Sequence, residues 1–150
     1  MSETQYKPHV TLACVVQAEG RFLMVEERIN GRPTLNQPAG HLEAGETVLD
    51  GAARELWEET GIRARPQELL RIYQWLAPDG TPFIRFTFSI DLESMVAASP
   101  NDTDIDRCLW LSADDILTSP NLRSPLVKES LLHYLQPTRY PLDILTYFGG

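Results

Sequence analysis

Three glutamates, Glu55, Glu58 and Glu59, stand at i, i+3 and i+4 beside Arg54 in the run Arg54-Glu55-Leu56-Trp57-Glu58-Glu59-Thr60-Gly61-Ile62. On a helix this spacing brings like charges together, which is unfavourable unless a cation sits among them. Hard carboxylate oxygens suit Mg²⁺ or Mn²⁺, with waters and substrate phosphate oxygens completing the shell. Such an ion would invert the local field and let an anionic substrate approach a chain whose formal net charge is −8. Taken alone, the same charge run reads as an ordinary solvated helix face. The residues upstream and downstream of it decide between the two readings.

Those residues are Gly40, Glu46 after five intervening residues, Arg54-Glu55 after seven more, and a Gly61-Ile62 ending, so the segment fits G-x5-E-x7-R-E-(apolar)-x-E-E-x-G-(apolar) without a gap. The segment resembles the Nudix box at every specified position. The resemblance implies a Mg²⁺-dependent hydrolase of phosphoric anhydrides, with Glu58 and Glu59 as metal ligands and Glu55 as a third ligand or as the group that orients the attacking water. Arg54 would hold Glu55 or Glu46 by a charge-assisted bond. Gly40 would bring its carbonyl to the metal where a side chain would obstruct. Glu46 would be structural, and Gly61 with Ile62 would end and anchor the helix. The catalytic set is therefore Arg54, Glu55 and Glu58, and the metal set Gly40, Glu55, Glu58 and Glu59. A metal-lowered water pKa and in-line attack would supply the chemistry. The box does not fix the general base: one of its glutamates could serve, or Asp102, Asp104 or Asp106, although an acidic run of that kind is more often a solvated turn.

Outside the box, KPHVTLACVV, LNQPAGHLEAGET, QWLAPDGTPFIRF and NLRSPLVKES resemble a bacterial phosphatase branch of the Nudix family over nearly the whole length. Many Nudix proteins carry Leu-Pro-Gly-Gly where this chain has Gln37-Pro38-Ala39-Gly40, a departure in the manner of that branch. The branch implies orthophosphate release from hydroxymethylpyrimidine pyrophosphate, thiamine pyrophosphate and nucleoside di- and triphosphates. Two alternatives stand beside it: a pyrophosphohydrolase that releases pyrophosphate, and a non-catalytic sensor of phosphorylated ligands, the latter disfavoured by the intact carboxylates. Arg28, Gln37, Trp75 and Arg85 are the candidate substrate contacts, with Phe83 a further suspect. An aromatic ring could stack on a pyrimidine and an arginine could take a phosphate. Core packing is the competing expectation for Trp57, Trp75 and Phe83. His41 reads as a satisfied loop histidine, and His9 and His133 carry no constellation.

The elements that must position these groups are legible from turns and periodicity. Two β-rich runs from His9 flank Glu19-Gly20, a two-residue hairpin turn, and Asn30-Gly31 makes a second turn. Pro33 to Pro38 reads as extended, followed by a sharp bend at Pro38-Ala39-Gly40. A helix is expected from Val48 to Thr60, capped by Thr47 and ended by Gly61. Its period places Leu49, Ala53, Leu56 and Thr60 on a packing face and Gly51, Ala52, Glu55, Glu58 and Glu59 on a charged face. Leu69 to Leu76 and Phe83 to Leu92 alternate as a hairpin around Ala77-Pro78-Asp79-Gly80. A strand over Ile105 to Leu111, a helical turn over Ala113 to Leu117 and a helix over Pro125 to Leu135 follow, and Gln136 to Gly150 reads as a surface strap. The expected fold is α/β, the Nudix arrangement of a mixed sheet sandwiched between helices, as one domain over 1–150.

With 150 residues, 43% of them hydrophobic, the chain has enough apolar material for one core. No apolar stretch is long enough for a membrane span, and Met1 to Pro8 lacks the pattern of an export signal. The net charge argues against nucleic-acid binding. The expectation is a cytoplasmic monomer or weak homodimer acting on a small diphosphate or triphosphate. Cys14 and Cys108 fall inside apolar runs and read as buried free thiols.

Overall fold

The computed structural model describes residues 5–149. Seven strands form one mixed sheet: β1 (His9–Ala18), β2 (Arg21–Ile29), β3 (Arg32–Asn36), β4 (Ala39–His41), β5 (Glu68–Leu76), β6 (Pro82–Asp91) and β7 (Arg107–Leu111). The strand path is β3-β2-β1-β6-β5, with β4 joined to β1 and β7 to β2. Glu19 and Gly20, at φ 52° and 75°, and Asn30 and Gly31, at 52° and 76°, adopt the left-handed backbone that tight hairpins demand. Both hairpin turns therefore fall where the sequence puts them.

Alternation along β1 divides the core in two. Leu12, Cys14 and Val16 meet α1 (Val48–Thr60) through Ala52 and Leu56. Val15 points the other way, with Met24, into a second cluster that holds Ile116 of α2 (Ala113–Leu117) and Val127 and Leu131 of α3 (Pro125–Leu135). The period-two geometry of a strand buried on both faces requires this division. The sheet thus lies between helices on each side, as expected. Cys14 and Cys108 are free thiols, and burial raises Cys14 to about 12 and Cys108 to about 11.

The strand pairing opens a gap that becomes the site. β1 pairs with β2 only beside the hairpin, at Gln17–Phe22 and Ala18–Arg21. Further back, β1 takes β4 as its partner, Thr11 opposite His41 and Ala13 opposite Ala39, while β2 pairs with β3 and β7. Ala39–His41, expected as a bend, is thus a short strand wedged where β1 and β2 part. β7 starts at Arg107 rather than Ile105, because the Ile105 amide closes a turn onto the Asp102 carbonyl at 3.2 Å. The strap over the C-terminal segment pairs Tyr140 with Leu69 and lays Leu142 and Leu145 against the α1 side of the core. No helix among the described residues is long and apolar enough to cross a membrane.

One expectation about α1 is overturned. Its buried residues are Gly51, Ala52, Glu55, Leu56, Glu59 and Thr60, so two of the three carboxylates lie inward rather than on an exposed charged face. The cause is the small pair Gly51-Ala52: a Cβ on Gly51 would come within 2.4 Å of Leu12 Cδ1. Helix and sheet approach closely there, and the carboxylates on that stripe are carried in with them.

The caps of α1 match expectation, with Thr47 accepting from the Asp50 amide at 3.1 Å and Gly61 at φ 73°. Thr47→Ala is expected to destabilise the protein by about 1 kcal/mol, read as a lower urea midpoint with unchanged slope. A midpoint equal to that of the parent would show that the cap contributes nothing.

Candidate active site

Arg54 organises the carboxylates. Its Nε donates to Glu46 Oε2 at 2.9 Å and its Nη2 to Glu46 Oε1 at 2.7 Å, a bidentate pair. Nη1 donates to Glu55 Oε1 at 2.8 Å and to Glu58 Oε2 at 3.2 Å, and Nη2 also reaches the His41 carbonyl at 3.0 Å. Arg54 thus holds both Glu46 and Glu55, where the sequence offered one or the other. The Arg54 hydrogen bond keeps Glu46 below the usual carboxylate range. Burial raises Glu55 against the opposing pull of Arg54.

Glu59 stands apart from this clamp. Its Oε1 accepts the Ala39 amide at 2.9 Å, and burial pushes its carboxyl up to about 9. Gly40, the neighbour of Ala39, faces Glu55: an added Cβ would lie 2.2 Å from the Glu55 carboxyl carbon. The missing side chain is the space in which the β4 backbone and the Glu55 carboxylate approach each other.

Among the described residues, no three His, Cys, Asp or Glu side chains already stand as a ligand set for one ion, and the Arg54 guanidinium supplies the positive charge between Glu55 and Glu58. The donor set nevertheless fits a hard divalent ion. It offers only oxygens, Glu59 has one oxygen not taken by Ala39, and the absence of a side chain at Gly40 lets the Glu55 carboxylate lie directly against the β4 backbone.

A cavity of about 420 Å³ opens where β1 and β2 part. Glu59, Ala39, Gly40 and His41 form one wall, Trp75, Phe83 and Arg85 another, and Glu27, Arg123, Ser124 and Leu126 complete the lining. Trp75 and Phe83, paired across β5 and β6, stack with ring centroids 5.4 Å apart. A family model described as the NUDIX domain matches residues 6–133.

The chain belongs to the Nudix family. It is a hydrolase acting on phosphoric anhydrides. Phosphatase NudJ of Escherichia coli strain K12 is 60% identical to it over 144 residues, 96% of this chain and 94% of that protein. The Shigella flexneri protein of the same name matches to the same extent. A solved Nudix hydrolase from Nitrosomonas europaea superposes with a TM-score of 0.88 at 43% identity, covering 95% of this chain and 98% of that one. A MutT protein from Methanosarcina mazei, at 21% identity and a TM-score of 0.72 over 87% of this chain and 96% of its own, shares the fold.

The Nudix chain brings some of its sequence-nominated residues together and leaves others apart. Glu59, Gly40, Trp75 and Arg85 share the cavity, and Gln37 is buried against Arg85. Glu55 and Glu58 do not line the cavity and are instead bonded to Arg54. Arg28 does not line the cavity: it is exposed, donates to the Gly31 carbonyl at 3.1 Å and lies 3.9 Å from Asp106. Trp57 is 36% exposed under the Arg63 guanidinium, not in the core. Asp102, Asp104 and Asp106 lie off the cavity lining. The Asn101 and Asp102 amides instead donate to the Glu58 carbonyl, both at 2.8 Å, and so cap the end of α1.

Sequence reasoning missed Glu27, Arg123 and Ser124. Glu27 could have been suspected from alternation: Glu26 pairs with Arg107 across β7, which sends Glu27 to the opposite face and into the cavity. Arg123-Ser124 precede the Pro125 helix start, and Ser124 is the N-cap. His41 and His9 are also coupled, Nε2 to Nδ1 at 3.0 Å, with the His9 ring against Phe83.

The raised carboxyl of Glu59 has a consequence for stability. A folded-state pKa near 9 means the folded chain keeps a proton that the unfolded chain releases in the ordinary range. The associated stability is therefore present at low pH and lost as pH rises. Burial raises Glu55 and Glu27 as well, which acts in the same direction. In protein stripped of divalent ions, the thermal midpoint is expected to fall from about pH 5 towards pH 9, with Glu59→Gln flattening the decline. A midpoint that stays level or rises over this window would show that Glu59 folds as an anion.

Proposed function

We propose that the protein is a Mg²⁺-dependent phosphatase that releases orthophosphate from small diphosphates and triphosphates: hydroxymethylpyrimidine pyrophosphate, thiamine pyrophosphate and nucleoside di- and triphosphates. The observation that carries this reading is one cavity with the box residues Glu59 and Gly40 on one wall and the stacked Trp75–Phe83 pair on another. The first wall suits a phosphate chain and the second a flat heterocycle. The near-full-length identity to proteins named as phosphatases supports the same activity.

In this reading Glu55, Glu58 and Glu59, with the Gly40 carbonyl, hold the metal. When bound, the ion neutralises phosphate oxygens and lowers the pKa of a water. The chain's own residues do the positioning. Ala39 fixes one oxygen of Glu59 and leaves the other for coordination. Glu46 fixes Arg54, and Arg54 orients Glu55 and Glu58. Preorganised charge of this kind accounts for most of the rate that such a site can supply. The reading is of a cytoplasmic enzyme, monomeric or weakly dimeric, acting on small molecules.

Glu59→Gln is expected to keep the fold and lower kcat by about two orders of magnitude or more. Phosphorus NMR of the products from a panel of these substrates is expected to show orthophosphate without added pyrophosphatase. Pyrophosphate as the sole product from nucleoside triphosphates would overturn the reading in favour of cleavage between the α and β phosphates. Near-normal turnover of the variant at saturating Mg²⁺ would remove Glu59 from the metal set.

A further inference from the structure

Arg85 is the only arginine or lysine among the described residues that is buried, at 5% exposure. It forms no salt bridge among them, and its Nε has no hydrogen-bond partner. A buried ion without a counterion is costly, and a guanidinium does not shed its proton to escape that cost. Its one anchor is neutral: Nη2 donates to Gln37 Oε1 at 2.9 Å, and Gln37 Nε2 donates to the Val127 carbonyl in α3 at 2.9 Å. Gln37 is itself buried at 2% exposure, so the fork is held in place by a side chain that leaves its charge unanswered.

The neighbourhood suits an anion. Ser124, the N-cap of the 11-residue α3, and Leu126 in its first turn line the same cavity as Arg85, and a helix N-terminus favours negative charge. Thr87 Oγ1, on the same face of β6, is also buried without a partner. Phe83 lies two residues along that face, about 7 Å away by the rise of a strand. Glu59, Glu27 and Asp79 also line the cavity, and none of them forms a salt bridge with Arg85.

We propose that Arg85, oriented by Gln37 and beside the N-terminus of α3, forms a desolvated anion subsite that takes a phosphate group of the substrate and binds it without help from a metal ion. This rests on the reading of the cavity as a phosphoanhydride site and assigns it polarity: carboxylates and metal at one end, a fixed guanidinium at the other. One group of the substrate is thereby bound to protein while another meets the metal.

The test is calorimetric titration of inorganic pyrophosphate into protein stripped of divalent ions with EDTA, where no turnover intervenes. Wild type is expected to show one saturable site, Arg85→Met to weaken it about tenfold or more, and Arg85→Lys to retain it with a smaller loss. Absence of saturable binding in wild type, or equal affinity in Arg85→Met, overturns the subsite. A merely structural arginine would leave Arg85→Met less stable. A cation waiting for its ligand gives a ligand-free thermal midpoint at or above that of wild type, with loss of the pyrophosphate-induced rise. Should the variants fail to fold, arginine Nε–H resonances of wild-type protein decide: one buried resonance is expected to move on adding pyrophosphate, and a stationary set overturns the proposal. Phosphate release with Mg²⁺ is scored separately, so failure of turnover with binding intact would overturn the phosphatase reading alone.

Discussion

The guanidinium of Arg54 is the interaction on which the site depends. Four acceptors converge on it: Glu46 from the loop before α1, Glu55 and Glu58 from α1, and the His41 carbonyl from β4. These bonds tie together three segments whose apolar residues Leu42, Val48, Leu49 and Leu56 already meet in one core cluster, and they add a directional, polar constraint to that packing. They also answer the mutual repulsion of the helix carboxylates, which a weakly hydrated planar cation can do at several oxygens at once. A lysine in its place would offer a point charge and lose the bidentate grip on Glu46.

The clamp is needed because the packing of α1 works against the acids it carries. Gly51 and Ala52 let the helix settle on Leu12 of β1, and this closeness buries Glu55 and Glu59 on the same stripe. Burial without full pairing raises both carboxyls, Glu59 most, since its fixed partner is the single Ala39 amide. A core optimised for stability alone would place apolar side chains there. Local cost of this kind concentrates where a protein holds charge ready for a ligand.

The contrast between what was legible in the chain and what was not follows the range of the interactions. Glu19-Gly20, Asn30-Gly31, Thr47 and Gly61 specify their own turns and caps through backbone angles and neighbouring amides, so the hairpins and the limits of α1 could be read directly. The box residues could be read because their spacing is itself the signal. The inward turn of Glu55 and Glu59 could not, because helical period gives relative faces but not which face meets the sheet. Glu27 and Arg123 enter the cavity only because β2 leaves β1 for β3 and β7, a pairing choice made across the fold. Arg28, one residue beyond Glu27, is turned outward by the same alternation.

That departure of β2 also explains why charges of both signs can share one cavity without cancelling. Glu59 reaches the gap from the α1 side of the sheet, past β4, whereas Arg85 reaches it from the α3 side, on β6. No salt bridge joins them, although both line the same space. Had the strands stayed paired, the sheet would have sealed the two faces from each other and neither residue would meet a common ligand. A phosphoanhydride carries negative charge on every phosphate, so it needs positive charge along its length. The acidic wall can supply that only through a bound cation, and the opposite wall already holds a fixed one. In the proposed reading the demand for a metal is therefore confined to the carboxylates, and the parting of β1 and β2 is what lets a metal-bound group and the Arg85 guanidinium meet one substrate.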